Sequence, residues 1–100
     1  MKFFLLCLTF LSVAAAAYAG CREDDAVRSL KWYAQKYWST NCQTSAKYAE
    51  TDNAKNEYFR VQLGNCSPNR GYGGIFWVIL REVSDGNCVM IAPPKRFTPQ

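Results

Sequence analysis

The five cysteines are the sequence feature that most constrains the fold of this 100-residue chain. Their number falls to four if the opening segment is removed from the mature protein. Cys7 lies in an opening segment in which a lysine precedes an apolar run and then a stretch of small residues. Such a segment, with Ala17-Tyr18-Ala19 at its end, is typical of a secretory signal peptide. The sequence therefore predicts a signal peptide over residues 1–19 and a secreted, extracellular protein that begins at Gly20.

Four cysteines follow residue 19, namely Cys21, Cys42, Cys66 and Cys88. In an oxidising compartment, an even set in a short chain predicts two disulfides. No later stretch reaches the roughly 20 apolar residues of a membrane helix, so we expect no stable membrane insertion. Residues 20–100 carry eleven basic and eight acidic side chains without a block of like charge. This mild surplus leads us to expect no nucleic-acid partner.

The types of residue present argue against catalysis. The chain has no histidine, which excludes Ser-His and Cys-His nucleophilic mechanisms. Oxidised cysteines supply neither a nucleophile nor metal ligands. The acidic triplet Glu23-Asp24-Asp25 suits the start of a helix, where it complements the macrodipole, better than a catalytic pair. We expect a protein that is not an enzyme and that needs no cofactor or metal.

Hydrophobic periodicity predicts one helix of about four turns from Asp24 to about Ser39. At 100° per residue, a narrow apolar stripe would face the core, and a second apolar set would flank it on one side. The stripe contains Ala26, Leu30, Tyr33 and Tyr37, and the flank contains Val27, Ala34 and Trp38.

After Cys42 the hydrophobic period changes to two, which is typical of strands. Phe59, Val61 and Leu63 would share the buried face of one strand, and the following strand is apolar enough to be central and covered on both faces. Asp85-Gly86 predicts a tight hairpin turn. The predicted strands are Gln43–Glu50, which is the weakest, Glu57–Gly64, Gly74–Val83 and Cys88–Ile91.

These elements predict an α+β fold with one N-terminal helix packed on a three- to four-stranded antiparallel sheet. The domain would span residues 20–94, and a flexible tail would follow Pro93-Pro94 over residues 95–100.

The disulfide pairing follows from an antiparallel meander. The strand from Gly74 spans about 30 Å, so Cys66 before it and Cys88 after it would lie at opposite ends of the sheet. Cys21 and Cys42 flank a helix of roughly 25 Å, which makes a direct bridge between them awkward. Cys42 opens the weakest strand and Cys66 closes its antiparallel neighbour, so both would lie at the same end of the sheet, with Cys21 and Cys88 at the other. We therefore predict Cys42–Cys66 and Cys21–Cys88.

The order of one helix and then an antiparallel meander resembles the cystatin fold. The segment Asn56-Glu57-Tyr58-Phe59-Arg60-Val61-Gln62-Leu63-Gly64-Asn65-Cys66 is similar to a cystatin strand with Asn-Tyr-Phe, alternating Val and Leu, then Gly and Cys. Cys21 ahead of the helix and Gly86-Asn87-Cys88 resemble the cystatin domains of kininogens and fetuins. The resemblance implies a cystatin-like fold and a protein partner, such as a secreted or host protease.

Cystatins that block papain-like proteases insert three elements into the active-site cleft, and the resemblance implies a counterpart for each. Gly20 would be the N-terminal element, Thr51-Asp52-Asn53-Ala54-Lys55 the central loop and Pro93-Pro94 the last hairpin. The central loop lacks the cystatin glutamine and glycine, and no tryptophan follows the prolines.

Six residues are candidates for binding a partner. Trp32 falls on the polar side of the predicted helix between cations, where it would either anchor a partner or stack on a neighbouring cation. Asn53 and Lys55 lie in the central loop, and Tyr72 would be exposed in a glycine-rich loop. Trp38 and Trp77 are predicted core residues. The binding candidates are Trp32, Arg28, Lys36, Asn53, Lys55 and Tyr72.

Two classes of function remain open from the sequence. The first is a small, monomeric, secreted binding protein that recognises another protein through its surface, including a protease-inhibitor version. The second is a small secreted toxin, antimicrobial or defence protein, or pathogen effector, acting on host or competitor cells. The second class predicts an activity that weakens with salt.

Overall fold

The computed structural model describes residues 20–97, and the predicted signal peptide with Cys7 lies outside them. Helix α1 spans Glu23–Tyr37. The strands are β1 (Asn41–Thr51), β2 (Glu57–Ser67), β3 (Gly74–Ser84), β4 (Asn87–Met90) and β5 (Lys95–Arg96). The predicted α+β class is confirmed: one helix packs against an antiparallel sheet that carries two disulfides.

Local sequence sets both ends of α1. Three acidic residues occupy its first turn, and the Arg22 backbone N–H donates a hydrogen bond of 2.8 Å to the Asp25 carboxylate. At the other end Ser39 takes a left-handed conformation with φ 52°, and Thr40 N–H donates to the Ala34 carbonyl at 3.2 Å. The Thr40 hydroxyl then donates to the Pro68 carbonyl at 2.6 Å, which ties the helix end to the loop after β2.

The sheet is a meander in the order β1-β2-β3-β4. β2 pairs with one edge of β3, and β4 and β5 pair with successive parts of its other edge. The β3–β4 hairpin turns at Asp85-Gly86, where Gly86 has φ 76°. The predicted β1 candidate, although polar and alanine-rich, is an eleven-residue strand because its whole length pairs with β2.

Residues 95–97 correct the predicted flexible tail. Lys95 and Arg96 pair with Trp77 and Phe76 of β3, and Phe97 N–H donates to the Ile75 carbonyl at 2.7 Å. The double proline interrupts the fourth strand instead of ending the fold, because β3 still offers unpaired backbone groups beyond β4.

The hydrophobic core lies between α1 and one face of the sheet. Phe59, Val61 and Leu63 are buried together there, as predicted. Two alanines and a leucine of the helix pack onto them, and every second residue of β3 completes the layer. The helix contributes Ala26, Leu30 and Ala34, and β3 contributes Phe76, Val78 and Leu80.

The prediction that β3 is covered on both faces is wrong. Ile75 is 37% exposed, and Trp77 and Ile79 are half-buried on the face opposite α1. Only one helix exists in the described part of the chain, so a second layer is absent there. Trp77 is therefore not a core residue, and Trp38 is half-buried at the margin of the core, where its ring lies 5.3 Å from that of Phe76.

Both predicted disulfides are confirmed, Cys21–Cys88 and Cys42–Cys66. The first joins Cys21, two residues before the start of α1, to β4, and the second joins β1 to β2. Cys21 is further held by its N–H, which donates to the Glu57 carboxylate at 3.0 Å. The disulfides indicate an extracellular or otherwise oxidising environment.

Replacing Cys21 and Cys88 by alanine is expected to lower the free energy of unfolding by about 4 kcal/mol, because the bridge closes a long loop. Amide hydrogen exchange should accelerate in β4 and the first turn of α1, while β1 and β2 keep their protection. The matched variant without Cys42 and Cys66 should cost about 3.5 kcal/mol and accelerate exchange in β1 instead. Identical exchange patterns in the two variants would contradict the prediction that each disulfide stabilises a different part of the fold.

Candidate functional site

The described residues form a groove between α1 and β4 with a volume of about 620 Å³. One wall is the helix and the other is the end of the meander. The helix wall consists of Arg28, Ser29, Trp32, Tyr33 and Tyr37, and the sheet wall consists of residues 89–93. We call this feature the α1–β4 groove.

The groove gathers exposed hydrophobic side chains. Trp32 is 53% exposed and Tyr37 57%, and Val89 and Ile91 face them from the sheet wall with exposures of 43% and 39%. These are four of the seven large hydrophobic residues that are most exposed in the described chain. A contiguous apolar surface of this kind marks an interaction site more often than scattered exposed residues do.

The orientation of α1 about its own axis places aromatic side chains in the helix wall of the groove. The buried line of the helix runs through Ala26, Leu30 and Ala34, so the small alanines lie closest to the sheet. Tyr33 and Tyr37, which the sequence placed in the central stripe, are consequently turned towards one side. This corrects the prediction that they face the core. The sequence prediction averaged the direction of all apolar side chains around the helix and did not consider their size. The large tyrosines could have been recognised as too bulky for the positions closest to the sheet.

The aromatic rings of the helix wall hold one another in place. Tyr33 and Tyr37 have ring centroids 4.5 Å apart, and Trp32 meets Tyr37 edge-to-face at 6.1 Å. Trp38 also contacts this group, with its ring centroid 5.3 Å from that of Tyr33. Such contacts restrict side-chain rotation before any partner arrives.

Two cations lie beside the aromatic rings of the helix wall, Arg28 within the wall and Lys36 at its border. The Lys36 ammonium lies 5.0 Å from the Trp32 ring centroid and 5.7 Å from that of Tyr37. Arg28 forms an ion pair with Asp25 one turn earlier, and its side chain is 72% exposed. The structure thus brings together three residues that the sequence singled out, Trp32, Arg28 and Lys36.

The other three candidates lie elsewhere. Tyr72 is half-buried, contrary to the expectation of an exposed ring, because it stacks on Trp38 with centroids 4.2 Å apart and planes 5° from parallel. Asn53 and Lys55 are exposed in the turn between β1 and β2. Lys55 takes a left-handed conformation with φ 71°, which favours glycine or asparagine.

Asp52 organises this turn. Its carboxylate accepts hydrogen bonds from the Ala54 and Asn56 backbone N–H groups at 2.9 Å each, and from the Tyr58 hydroxyl at 3.1 Å. The bond from the Asn56 backbone is the main cause that lowers the pKa of Asp52 below its usual 3.8. The hydrogen bond that the Tyr58 hydroxyl donates to Asp52 raises the pKa of that phenol above 10.0.

The three elements that the cystatin resemblance implied do not share one surface. Gly20 and two residues of the central loop, Thr51 and Lys55, line one cleft together with Glu57 and Glu82. Pro93 lines the α1–β4 groove instead. The cleft at Gly20 is polar and contains two carboxylates, so it differs chemically from an apolar wedge.

A second surface lies on the sheet face opposite α1. The Arg60 guanidinium is 5.3 Å from the Trp77 ring centroid and 5.1 Å from that of Phe97, and Tyr58 meets Trp77 edge-to-face. The sequence pointed to this cluster only through strand alternation, which places Tyr58 and Arg60 on one face. Phe97 was assigned to the tail and so was missed.

Neither a metal site nor a membrane span emerges from the described residues. Residues 20–97 contain no group of three or more side chains of the types that commonly hold a metal. Helix α1 falls short of the length and apolar character that crossing a bilayer requires.

No family model matches the chain, and no curated protein or solved structure is similar to it. Function is therefore inferred from the surfaces themselves.

Replacing Asp52 by asparagine is expected to lower the pKa of Tyr58 towards 10.0, because the carboxylate that accepts a hydrogen bond from its hydroxyl is lost. In the unmodified protein, Asp52 should titrate below 3.8. Its contribution to stability is present above that value and is lost as the pH falls through the folded pKa. NMR titration of the two side chains measures both values. A Tyr58 midpoint that is unchanged in the variant would contradict the coupling.

Proposed function

We propose that this chain is a small, secreted, monomeric binding protein without catalytic activity, which recognises another protein through the α1–β4 groove. Secretion rests on the predicted signal peptide and agrees with the disulfides. The observation that carries the proposal is the concentration of Trp32, Tyr33, Tyr37 and Arg28 along one wall. Tryptophan, tyrosine and arginine are the residues that most often dominate the binding energy of protein interfaces.

The rigidity of the groove supports this proposal. Cys21–Cys88 joins the start of α1 to β4, so both walls are linked covalently at one end. The rings of the helix wall contact one another in tilted and edge-to-face arrangements, so they lose little further freedom on binding. Preorganisation of this kind raises affinity by reducing the entropy that association costs.

The partner class includes secreted and cell-surface proteins, among them extracellular proteases. If a protease is the target, we propose that it is held by the α1–β4 groove and not by a cystatin-type wedge. The cleft at Gly20 carries Glu57 and Glu82 where a cystatin presents apolar groups. A panel of papain-family and other secreted proteases tests the inhibitor version, which fails if none is bound or inhibited.

A second candidate function is that of a secreted effector or defence protein acting on host or competitor cells. The cluster of Arg60 with Trp77 and Phe97 favours it, since the exposed positive charge of Arg60 is attracted to anionic cell surfaces. Binding to intact cells that falls as salt rises, and that Arg60→Gln reduces, would support this candidate. Binding that is insensitive to both would exclude it.

Replacing Trp32 by alanine is expected to weaken capture of the protein partner by about thirtyfold, the effect of losing a central interface residue. Folding stability should change little because the side chain is 53% exposed. Surface plasmon resonance against an array of secreted and cell-surface proteins provides the affinity, and thermal unfolding provides the stability.

Two valines provide a matched control. Val89→Ala removes two methyl groups from the groove, and Val83→Ala removes the same groups from an exposed position outside it. Only Val89→Ala should weaken binding. Equal effects of the two changes, or unchanged affinity in Trp32→Ala, would show that the partner binds another surface.

A further inference from the structure

The sheet wall of the groove includes the free edge of β4. Residues 89–93 line the groove, of which Val89 and Met90 belong to β4 and residues 91–93 follow it. β4 is the last strand in the order β1-β2-β3-β4, so its outer edge pairs with no other strand of the described chain.

The backbone at this edge has unused hydrogen-bonding groups. Within residues 20–97, β4 pairs with β3 alone. Ile91 N–H donates to the Ile79 carbonyl at 3.1 Å, and Met90 is the partner of Leu80 in the register. Bonded and non-bonded pairs alternate in an antiparallel ladder, so the N–H and C=O of Met90, a residue that lines the groove, point away from β3.

The opposite edge of the sheet is less suitable for pairing. β1 also lacks a second strand partner within the described chain, but its register with β2 shifts at both ends, between Asn41 and Gln43 and between Tyr48 and Glu50. Bulges of this kind twist an edge away from further pairing.

The charge of the groove indicates which peptide fits. Its only charged lining residue is Arg28, whose guanidinium also pairs with Asp25, and the Lys36 ammonium borders the groove above Trp32. Neither wall contributes a carboxylate to the lining. An apolar side chain between the aromatic rings and β4, with an acidic residue beside it, complements both the surface and the charge.

We propose that the α1–β4 groove binds an extended, acid-flanked apolar segment of the partner protein, which adds to the edge of β4 as a strand. This inference rests on the proposed function and specifies its mode of recognition. Backbone hydrogen bonds to Met90 would supply affinity, and the rings of Trp32 and Tyr33 would select the apolar side chain. The short β4 and the prolines after it restrict the pairing to a few residues.

The test uses the secreted, oxidised full chain and a displayed library of nonapeptides with a central apolar residue. Half of the library carries Asp or Glu beside this residue and half carries Lys or Arg. Binders are expected from the acidic half. Lys36→Gln should reduce that preference, and Lys31→Gln, which changes a lysine of the same helix away from the groove, should not.

The tightest peptide is then synthesised with one N-methyl group at each position in turn. Strand addition predicts that methylation weakens binding at every second residue, by about tenfold where a hydrogen bond to Met90 is lost. The Met90 amide should exchange more slowly in the complex, whereas the Ile91 amide, already bonded to Ile79, should change little.

Each outcome separates this inference from the proposed function. A peptide that loses affinity in Trp32→Ala but shows no alternation, or leaves Met90 exchange unchanged, overturns strand addition and leaves the groove as the recognition site. The absence of any binder from the acidic half also overturns strand addition. Capture of a protein partner that Trp32→Ala leaves intact overturns both.

Discussion

The close packing of Ala26, Leu30 and Ala34 against the sheet decides how the rest of the molecule is arranged. Small side chains at two of these three positions let the helix approach the strands along a line that excludes its tyrosines. Tyr33 and Tyr37 then have no room in the core and form a wall at the side. One packing choice therefore produces both the buried layer and the exposed groove.

The two disulfides stabilise different parts of this arrangement. Cys42–Cys66 joins neighbouring strands that already share a ladder, so it reinforces the β1–β2 hairpin. Cys21–Cys88 joins elements that are 67 residues apart and that meet only through tertiary packing. In a domain with a core this small, such a bridge holds the segment before α1 and β4 in a fixed relation and so preserves the shape of the groove between the helix and the strand.

Much of the fold could be predicted because its signals are local. Alternation over Phe59, Val61 and Leu63, the acidic helix start and the Asp85-Gly86 turn specify the elements, and strand lengths then specify the disulfide pairs. Three features were not accessible. Residues 95–97 pair because β3 has free edge groups there, Trp77 lies outside the core because one helix covers one face, and Tyr72 is covered by Trp38. Each depends on what the rest of the chain leaves uncovered.

The candidate site was likewise predictable only where its features depend on local sequence. The exposure of Trp32 and the nearby cations could be predicted from helical periodicity, and Trp32, Arg28 and Lys36 do lie together. The sheet wall could not be predicted, because residues 89–93 line a groove only as a result of lying beside α1 in the folded chain. Asn53 and Lys55 belong to a turn that Asp52 organises through hydrogen bonds, and that turn lies apart from the groove.

The three tryptophans allow the most direct measurement of where recognition occurs, because each reports a different surface. Trp32 lies in the groove, Trp38 stacks on Tyr72 and Trp77 lies on the opposite sheet face. In ¹⁹F NMR of fluorotryptophan-labelled, oxidised protein, addition of a protein partner should shift the Trp32 signal and leave that of Trp77 in place. A shift of Trp77 with Trp32 unchanged would contradict recognition through the α1–β4 groove.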